Sequence, residues 1–242
     1  MSLSWTRIGA ILRKELRDYR RNRFVVATMA ATPLLFIALP TIQLIAANAT
    51  GKAVTLRVGL SLLYMLVIPV IMPSVISAYS VVGEREQGTL EPVLSTPIRR
   101  EEFLIAKALA AFIPTLVTAY AVFGIFLAIA ALFAHPVIVS AIYAGTHVLV
   151  QLLFTPLLAG WAVWIGIAVS TRMSDIRAAQ QLSVLGSAPP LAILVLMSLN
   201  VITVSTALAI GLAAALLAFD LLAWRVVATM FDRERLLIGG RR

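Results

Sequence analysis

Six apolar runs divide this chain, and each is long enough to cross a bilayer: Phe24 to Ala47, Val58 to Val82, Ala108 to Phe133, Val137 to Val169, Leu182 to Leu199 and Thr203 to Trp224. About 20 helical residues cover roughly 30 Å of hydrocarbon, where backbone N–H and C=O groups must be satisfied within the chain. The runs are continuously apolar and lack the ten-residue alternation of an outer-membrane barrel, so they predict helices. With 61% hydrophobic residues, 13% charged and a mean hydropathy of +0.97, the chain lies far from the soluble average. An all-α membrane protein is expected, with a six-helix domain over residues 24–224 and no room in 242 residues for a soluble catalytic domain. The absence of cysteine excludes disulfides and thiolate metal ligands.

The net charge of +9 raises nucleic acid as a partner, and the placement of the charges answers it. With the N-terminus inside, the inner segments hold eighteen Lys and Arg, against only Lys52 and Arg57 in the outer ones. That asymmetry puts both termini in the cytoplasm and assigns the basic charge to topology, so no nucleic-acid role is expected. The expected location is the plasma membrane, the inner membrane of a prokaryote, crossed several times.

Residues 1–23 form a separate unit. Trp5, Ile8, Ile11, Leu12, Leu16 and Tyr19 recur at helical spacing, with Arg7, Lys14, Arg17 and Arg21 on the other side. This is an amphipathic helix at the inner membrane surface, either a lipid anchor or a brace for a cytoplasmic partner. Ala47-Asn48-Ala49 resembles a signal-peptidase site, but the apolar core before it is too long, so the first span is expected to stay. Residues 225–242 form a basic cytoplasmic tail.

Prolines mark the spans: Pro33 and Pro40, Pro69 and Pro73, Pro114, Pro156, and Pro189-Pro190. Each removes a backbone donor and kinks its helix unless a neighbour satisfies the freed carbonyl. The fourth run exceeds what a bilayer needs, and Gly145-Thr146-His147 is expected to divide it into an interfacial piece and a true crossing. Polar groups inside the spans are few: Gln43, His147, Gln151 and Asp220 are the candidates for a translocation path. Asp220 lies near the inner end of the last run, where an ion pair with Arg225 is the structural alternative. Trp161 and Trp164 read as an interfacial aromatic belt.

Enzyme signatures are missing. The sequence has no Gly-x-x-x-x-Gly-Lys phosphate loop and no His-Glu-x-x-His zinc motif, and no metal site is expected. Ser187 with His147 is the one nucleophile and base pair to weigh for an intramembrane protease, and its Ala188-Pro189-Pro190 context shows no oxyanion hole.

Between the second and third runs the charges crowd together in VVGEREQGTLEPVLSTPIRREEF, Val81 to Phe103. Gly83 is expected to end the second span, and Thr96-Pro97 reads as an N-cap with proline at the first helical position. Residues 83–102 would form a compact cytoplasmic elbow. Four Glu on it do nothing for the positive-inside rule, which counts Lys and Arg.

GEREQGTLEPVLSTPIRREEFLIAKAL, Gly83 to Leu109, resembles the cytoplasmic loop of ATP-binding-cassette type-2 transporter permeases: Glu-Arg-Glu-x-Gly-Thr-Leu-Glu, then Leu-Ser-x-Pro, then Lys in the next helix. The likeness extends to the basic leader, the six spans and the second inner loop STRMSDIRAAQQL, and so covers nearly the whole chain. It implies the permease subunit of an exporter that works by alternating access. A second permease copy and two separate ATPase subunits, which bind ATP and Mg, are the implied partners beside the lipid bilayer. Glu84, Arg85, Glu86, Gln87, Gly88, Thr89, Leu90 and Glu91 would then be the residues that couple to the ATPase. The connection between the fifth and sixth runs, about Asn200 to Ile202, is shorter than in members with an elaborated exit. An importer, or a membrane scaffold that recruits an ATPase without transport, are the competing readings.

The orientation is testable because the chain has no cysteine of its own. Single cysteines at Asn48 and Thr89, treated with an impermeant thiol reagent on intact cells, should label at 48 and stay unlabelled at 89. The reverse pattern would invert every span.

Overall fold

The structure is a computed structural model, and it describes residues 3–45, 52–88, 98–143, 146–199, 201 and 206–230. Among the described residues there are nine helices and no strand: α1 (Trp5–Arg21), α2 (Arg23–Ile45), α3 (Lys52–Glu86), α4 (Arg100–Phe133), α5 (Pro136–Tyr143), α6 (Thr146–Arg172), α7 (Ile176–Gly186), α8 (Ala188–Ser198) and α9 (Thr206–Met230). Five of them, α2, α3, α4, α6 and α9, are single helices long and apolar enough to cross a membrane, and α7 with α8 supplies a sixth if the bent pair is one span.

The bundle is organised around α3. Of its most apolar stretch 67% is buried, against 11% for α9, so α3 is the central post and α9 lies at the periphery. Helices α2, α4, α6 and α7 pack on α3, and α9 packs mainly on α6. Lipid is as apolar as leucine, so association in a bilayer depends on close approach and on polar contacts between helices. Gly166 of α6 provides the approach: a Cβ there would lie 1.9 Å from Ser77 Oγ of α3. Ser170, one turn further, accepts from the N–H groups of Val81 and Val82 at 3.0 Å each.

Several sequence boundaries shift. Helix α3 continues through Gly83 to Glu86, because Gly83 has no side chain to meet the Tyr79 ring, which a Cβ would approach to 2.7 Å. Helix α4 begins at Arg100 with extended backbone at Arg99, so its start lies after the expected Thr96-Pro97 cap, which falls outside the described residues. The fourth run divides into α5 and α6, on either side of residues 144–145. The segment STRMSDIRAAQQL, expected as a second inner loop, is largely helical, since α6 runs to Arg172 and Asp175 caps α7 by accepting from the Ala178 N–H at 2.7 Å.

The fifth run is broken and not merely kinked. Helices α7 and α8 meet at 43°, with Ser187 between them. Pro189 and Pro190 have no N–H to donate and fit only the first turn of a new helix. Buried Ser187 fixes the joint, with its Oγ donating to Ser183 O at 3.0 Å and lying 3.1 Å from Ser74 Oγ on α3.

The other prolines sit inside continuous helices. At Pro156 the compensation is visible: the Leu152 carbonyl, which loses its donor four residues on, accepts from Tyr120 Oη of α4 at 3.0 Å. Trp161 belongs to the interior fabric and not simply to an aromatic belt, for its Nε1 donates to Gly186 O at 3.2 Å and its ring stacks on Phe219 at 3.8 Å.

The α3 and α6 contact makes a direct prediction. Gly166→Ala should lower stability in detergent by about 1–3 kcal/mol through forced overpacking, while Gly211→Ala, which meets nothing within 4 Å, should not. Thermal unfolding of the two variants checks this, and equal midpoints would show that the approach is not limiting.

Candidate functional site

Helix α1 docks on the bundle. Ile8, Ile11 and Tyr19 are buried against Val81, Phe103 and Leu104 of α3 and α4, with Leu12 and Leu16 packed beside them. Trp5, expected on the same face, is 71% exposed. Glu15 shares the buried stripe, and a carboxylate there requires a cation.

That cation is Lys107 of α4, which is completely enclosed. Its Nζ lies 3.3 Å from Glu15 Oε1 and 3.2 Å from Glu84 Oε1, and donates to Ser80 O at 2.7 Å. An ammonium has three protons, and these three acceptors use them all. The Phe103 ring lies beneath, 4.9 Å from Nζ to centroid. Lys14 closes the network from the surface, 2.8 Å from Glu84, 3.2 Å from Glu15 and 3.4 Å from Asp18. Three helices, α1, α3 and α4, thus meet on two shared carboxylates.

The electrostatics are mutual. Burial alone would push the Glu15 carboxyl up, but the ammonium groups of Lys107 and Lys14 outweigh it and hold the group below its usual 4.5. Burial alone would pull Lys14 down, yet Glu15 and Glu84 raise it above its ordinary range. Buried Tyr19 is driven well above 10.0, first by burial and then by the carboxylates of Glu15 and Glu84, so it stays neutral beside them.

A second clasp lies at the start of α4. Glu102, fully buried, accepts from the N–H of Ser4 at 2.9 Å and of Arg99 at 3.3 Å, and pairs with Arg7 at 3.2 Å. The elbow is therefore fastened to α1 at both of its stems.

The motif residues are separated by helical geometry. Glu84 points inward to the lysines. Arg85 reaches sideways, donating to Met173 O at 2.7 Å and Thr171 O at 3.5 Å, where it supplies donors to the carbonyl end of α6. Glu86, Gln87 and Gly88 are exposed. Gly88 has φ +68° with open space around it, and its N–H bonds Arg85 O, so its role is the left-handed turn that ends α3. Thr89, Leu90 and Glu91 lie outside the described residues. A cavity of about 420 Å³ opens beside the network, between Tyr19, Asp18, Tyr79 and Gln87.

The four polar candidates for a path do not converge. Gln151 is buried and His147 exposed on α6, Gln43 is half-buried on α2, and no hydrogen bond or ion pair among the described residues joins any two of them or Asp220. Asp220 faces Gly160, nine positions along α6 from Gln151, or about 13 Å of helix. Its expected pairing with Arg225 is not made; that guanidinium lies instead 6.0 Å from the Trp224 ring. Ser187 and His147 are not brought together either. Ser187 is buried in hydroxyl contacts near Trp161, and His147 lies 14 residues back, about 21 Å along α6.

Lys107 and Glu84 are both legible in the sequence as parts of the motif, but their pairing with each other and with Glu15 is not. The available signal was Glu15 at helical spacing with Ile8, Ile11 and Tyr19, a charge inside an apolar stripe.

An all-helical bundle with several apolar crossings and a charged loop whose stems are clasped to an amphipathic leader defines a multi-pass membrane protein. The chain belongs to the ABC-2 family of transporter proteins, whose family model matches residues 9–232. Proteins of this family are membrane components that partner with ATPase subunits and are not themselves the ATPase. No curated protein matches the chain.

Removing one member of a buried ion network strands the rest. Lys107→Met should cost about 3–5 kcal/mol, and adding Glu15→Gln with Glu84→Gln should restore most of it. A carboxylate held below its ordinary value stabilises above that value and ceases to as pH falls through the lowered one. Thermal stability should therefore change little between pH 6 and 8 and fall below about pH 4, less steeply in Glu15→Gln. Identical acid profiles would remove Glu15 from the network.

Proposed function

We propose that the chain is the permease subunit of an ATP-driven exporter, paired with a second permease copy and served by two ATPase subunits that hold ATP and Mg. The observation that supports this most is the contrast between the exposed tip, Glu86 to Gly88, and the locked stems beneath it. A partner that grips the tip pulls on Glu84 and on the start of α4 at once, and through Glu15 and Ser4 it pulls α1 as well.

The load then has places to go. Helices α3 and α4 carry Pro69, Pro73 and Pro114, and the α7 and α8 joint lies against α3 at Ser74. These are the positions where backbone hydrogen bonding is already interrupted, and bending there is least costly. Nucleotide-driven closure of the ATPases would draw the elbows together, and the kinked helices of two halves would open outward. The chain itself does no covalent chemistry in this scheme.

Arg85 and Glu84 face the permease, so the ATPase contacts would come from Glu86, Gln87, Gly88 and the residues after them, Thr89, Leu90 and Glu91. Glu86→Ala and Gly88→Val, produced together with the partner ATPase, should insert normally and stay within about 1–2 kcal/mol of the parent in stability. They should nevertheless lose more than tenfold in ATPase co-purification or in nucleotide-driven flux from vesicles. Glu84→Ala should behave oppositely and lower stability first. Normal binding, hydrolysis and outward flux in both tip variants would sink the coupling assignment, and hydrolysis without flux would favour the scaffold reading.

A further inference from the structure

Between α4, α6 and α9 lies an apolar slot of about 350 Å³, lined by Leu109, Phe112, Leu157, Gly160 and Trp164, with the Asp220 side chain at its wall. Asp220 is 14 positions from the Thr206 end of α9, about 21 Å of rise, which under the orientation expected from the basic residues lies within the inner leaflet. Its Oδ1 is buried and has no hydrogen-bond partner among the described residues. The glycine at 160 makes the room, since a Cβ there would lie 2.4 Å from Oδ2.

No cation of the described chain answers this carboxylate. Arg225 is turned to Trp224, and Lys107, next to Ala108 of the lining, has its protons committed to Glu15, Glu84 and Ser80. A carboxylate at membrane depth without a partner is costly. The lining adds Trp164 and Phe112, whose ring faces attract cations in desolvated surroundings. The volume falls in the range of pockets for small ligands. Helices α4 and α9 touch only slightly, and Leu217 between them is 49% exposed, so the slot is reachable sideways from lipid.

We propose that this slot binds a hydrophobic monocation, an amine or onium ion carrying apolar or aromatic groups, that enters from the inner leaflet with its charge on Asp220 and its apolar body against Trp164 and Phe112. The ligand's role as cargo rests on the exporter reading; its binding does not.

The test uses the permease alone in lipid nanodiscs, with labelled tetraphenylphosphonium as the cation and, in separate samples, labelled tetraphenylborate as an anion of the same shape. Saturable cation binding is expected, lowered more than tenfold by Asp220→Asn and at least severalfold by Trp164→Ala, with no Asp220-dependent binding of the anion. Asp220→Asn keeps the shape of the side chain without its acid and should fold; Gly160→Ala, which displaces the carboxyl group without removing it, should weaken binding in the same direction. Equal binding by Asp220→Asn, or by Gly160→Ala if the former does not fold, overturns the proposal. Saturable binding of the anion that Asp220→Asn lowers equally does so as well. Quantitative crosslinking of Leu217→Cys between two copies, with loss of cation binding, would assign the slot to an interface and also end it. Glu86→Ala should bind the cation normally, so failure of coupling and failure of the slot are read separately.

Discussion

The packing of the end of the bundle that carries the charged elbow depends on the burial of one ammonium. Lys107 sits among Phe103, Leu104 and Ala106 in the core that joins α1, α3 and α4, and such a charge is tolerable only with every proton bonded and a carboxylate at hand. Two carboxylates and one carbonyl meet that demand from two other helices. Apolar side chains of the same volume would often hold three helices together as well or better. What they would not do is fix which residue of α1 meets which residue of α3. An ion with directed bonds does, and it links the elbow's first stem, its second stem and the leader in one register.

The membrane half uses a different vocabulary. Where lipid offers no hydrophobic drive between helices, the contacts that matter are Gly166 on Ser77, Ser170 on the Val81 and Val82 N–H groups, and Tyr120 on the carbonyl freed by Pro156. Each polar contact satisfies a group or permits an approach that lipid cannot. The tie at the α7 and α8 break is of the same kind, two serine hydroxyls 3.1 Å apart in a buried site.

Fold class was legible because it follows from apolar length and helix period, which Phe24 to Ala47 or Ala108 to Phe133 display without reference to anything else. The elbow's place was legible from charge. The boundaries at Gly83 and Arg100 were not, because they depend on the Tyr79 ring and on a clasp to Ser4 that lies about a hundred residues away in sequence. Asp220 illustrates the same limit. Sequence proximity suggested Arg225, five positions on, but residues five apart on a helix project in different directions, and the carboxylate turned to the space left by Gly160. Long-range pairings such as Glu15 with Lys107 need the tertiary packing of α1, which a single amphipathic pattern does not specify.

A contiguous motif is not a contiguous surface. Successive residues of an α-helix advance by about 100°, so Glu84, Arg85 and Glu86 must address three different neighbours. The structure gives them the lysine pair, the end of α6 and the exterior. Under the proposed coupling, Glu-Arg-Glu would serve as an anchor, a strut and a handle in three consecutive positions, and the left-handed Gly88 turns the chain two residues after the handle. Because the anchor is buried and hydrogen-bonded while the handle is exposed, a force on the handle meets stiff attachment before it meets slack. The prolines and the Ser187 joint lie beyond that attachment, inside the bundle. Motion would then be expected to begin where the backbone ladder is already interrupted, with the junction of α1, α3 and α4 moving as one body.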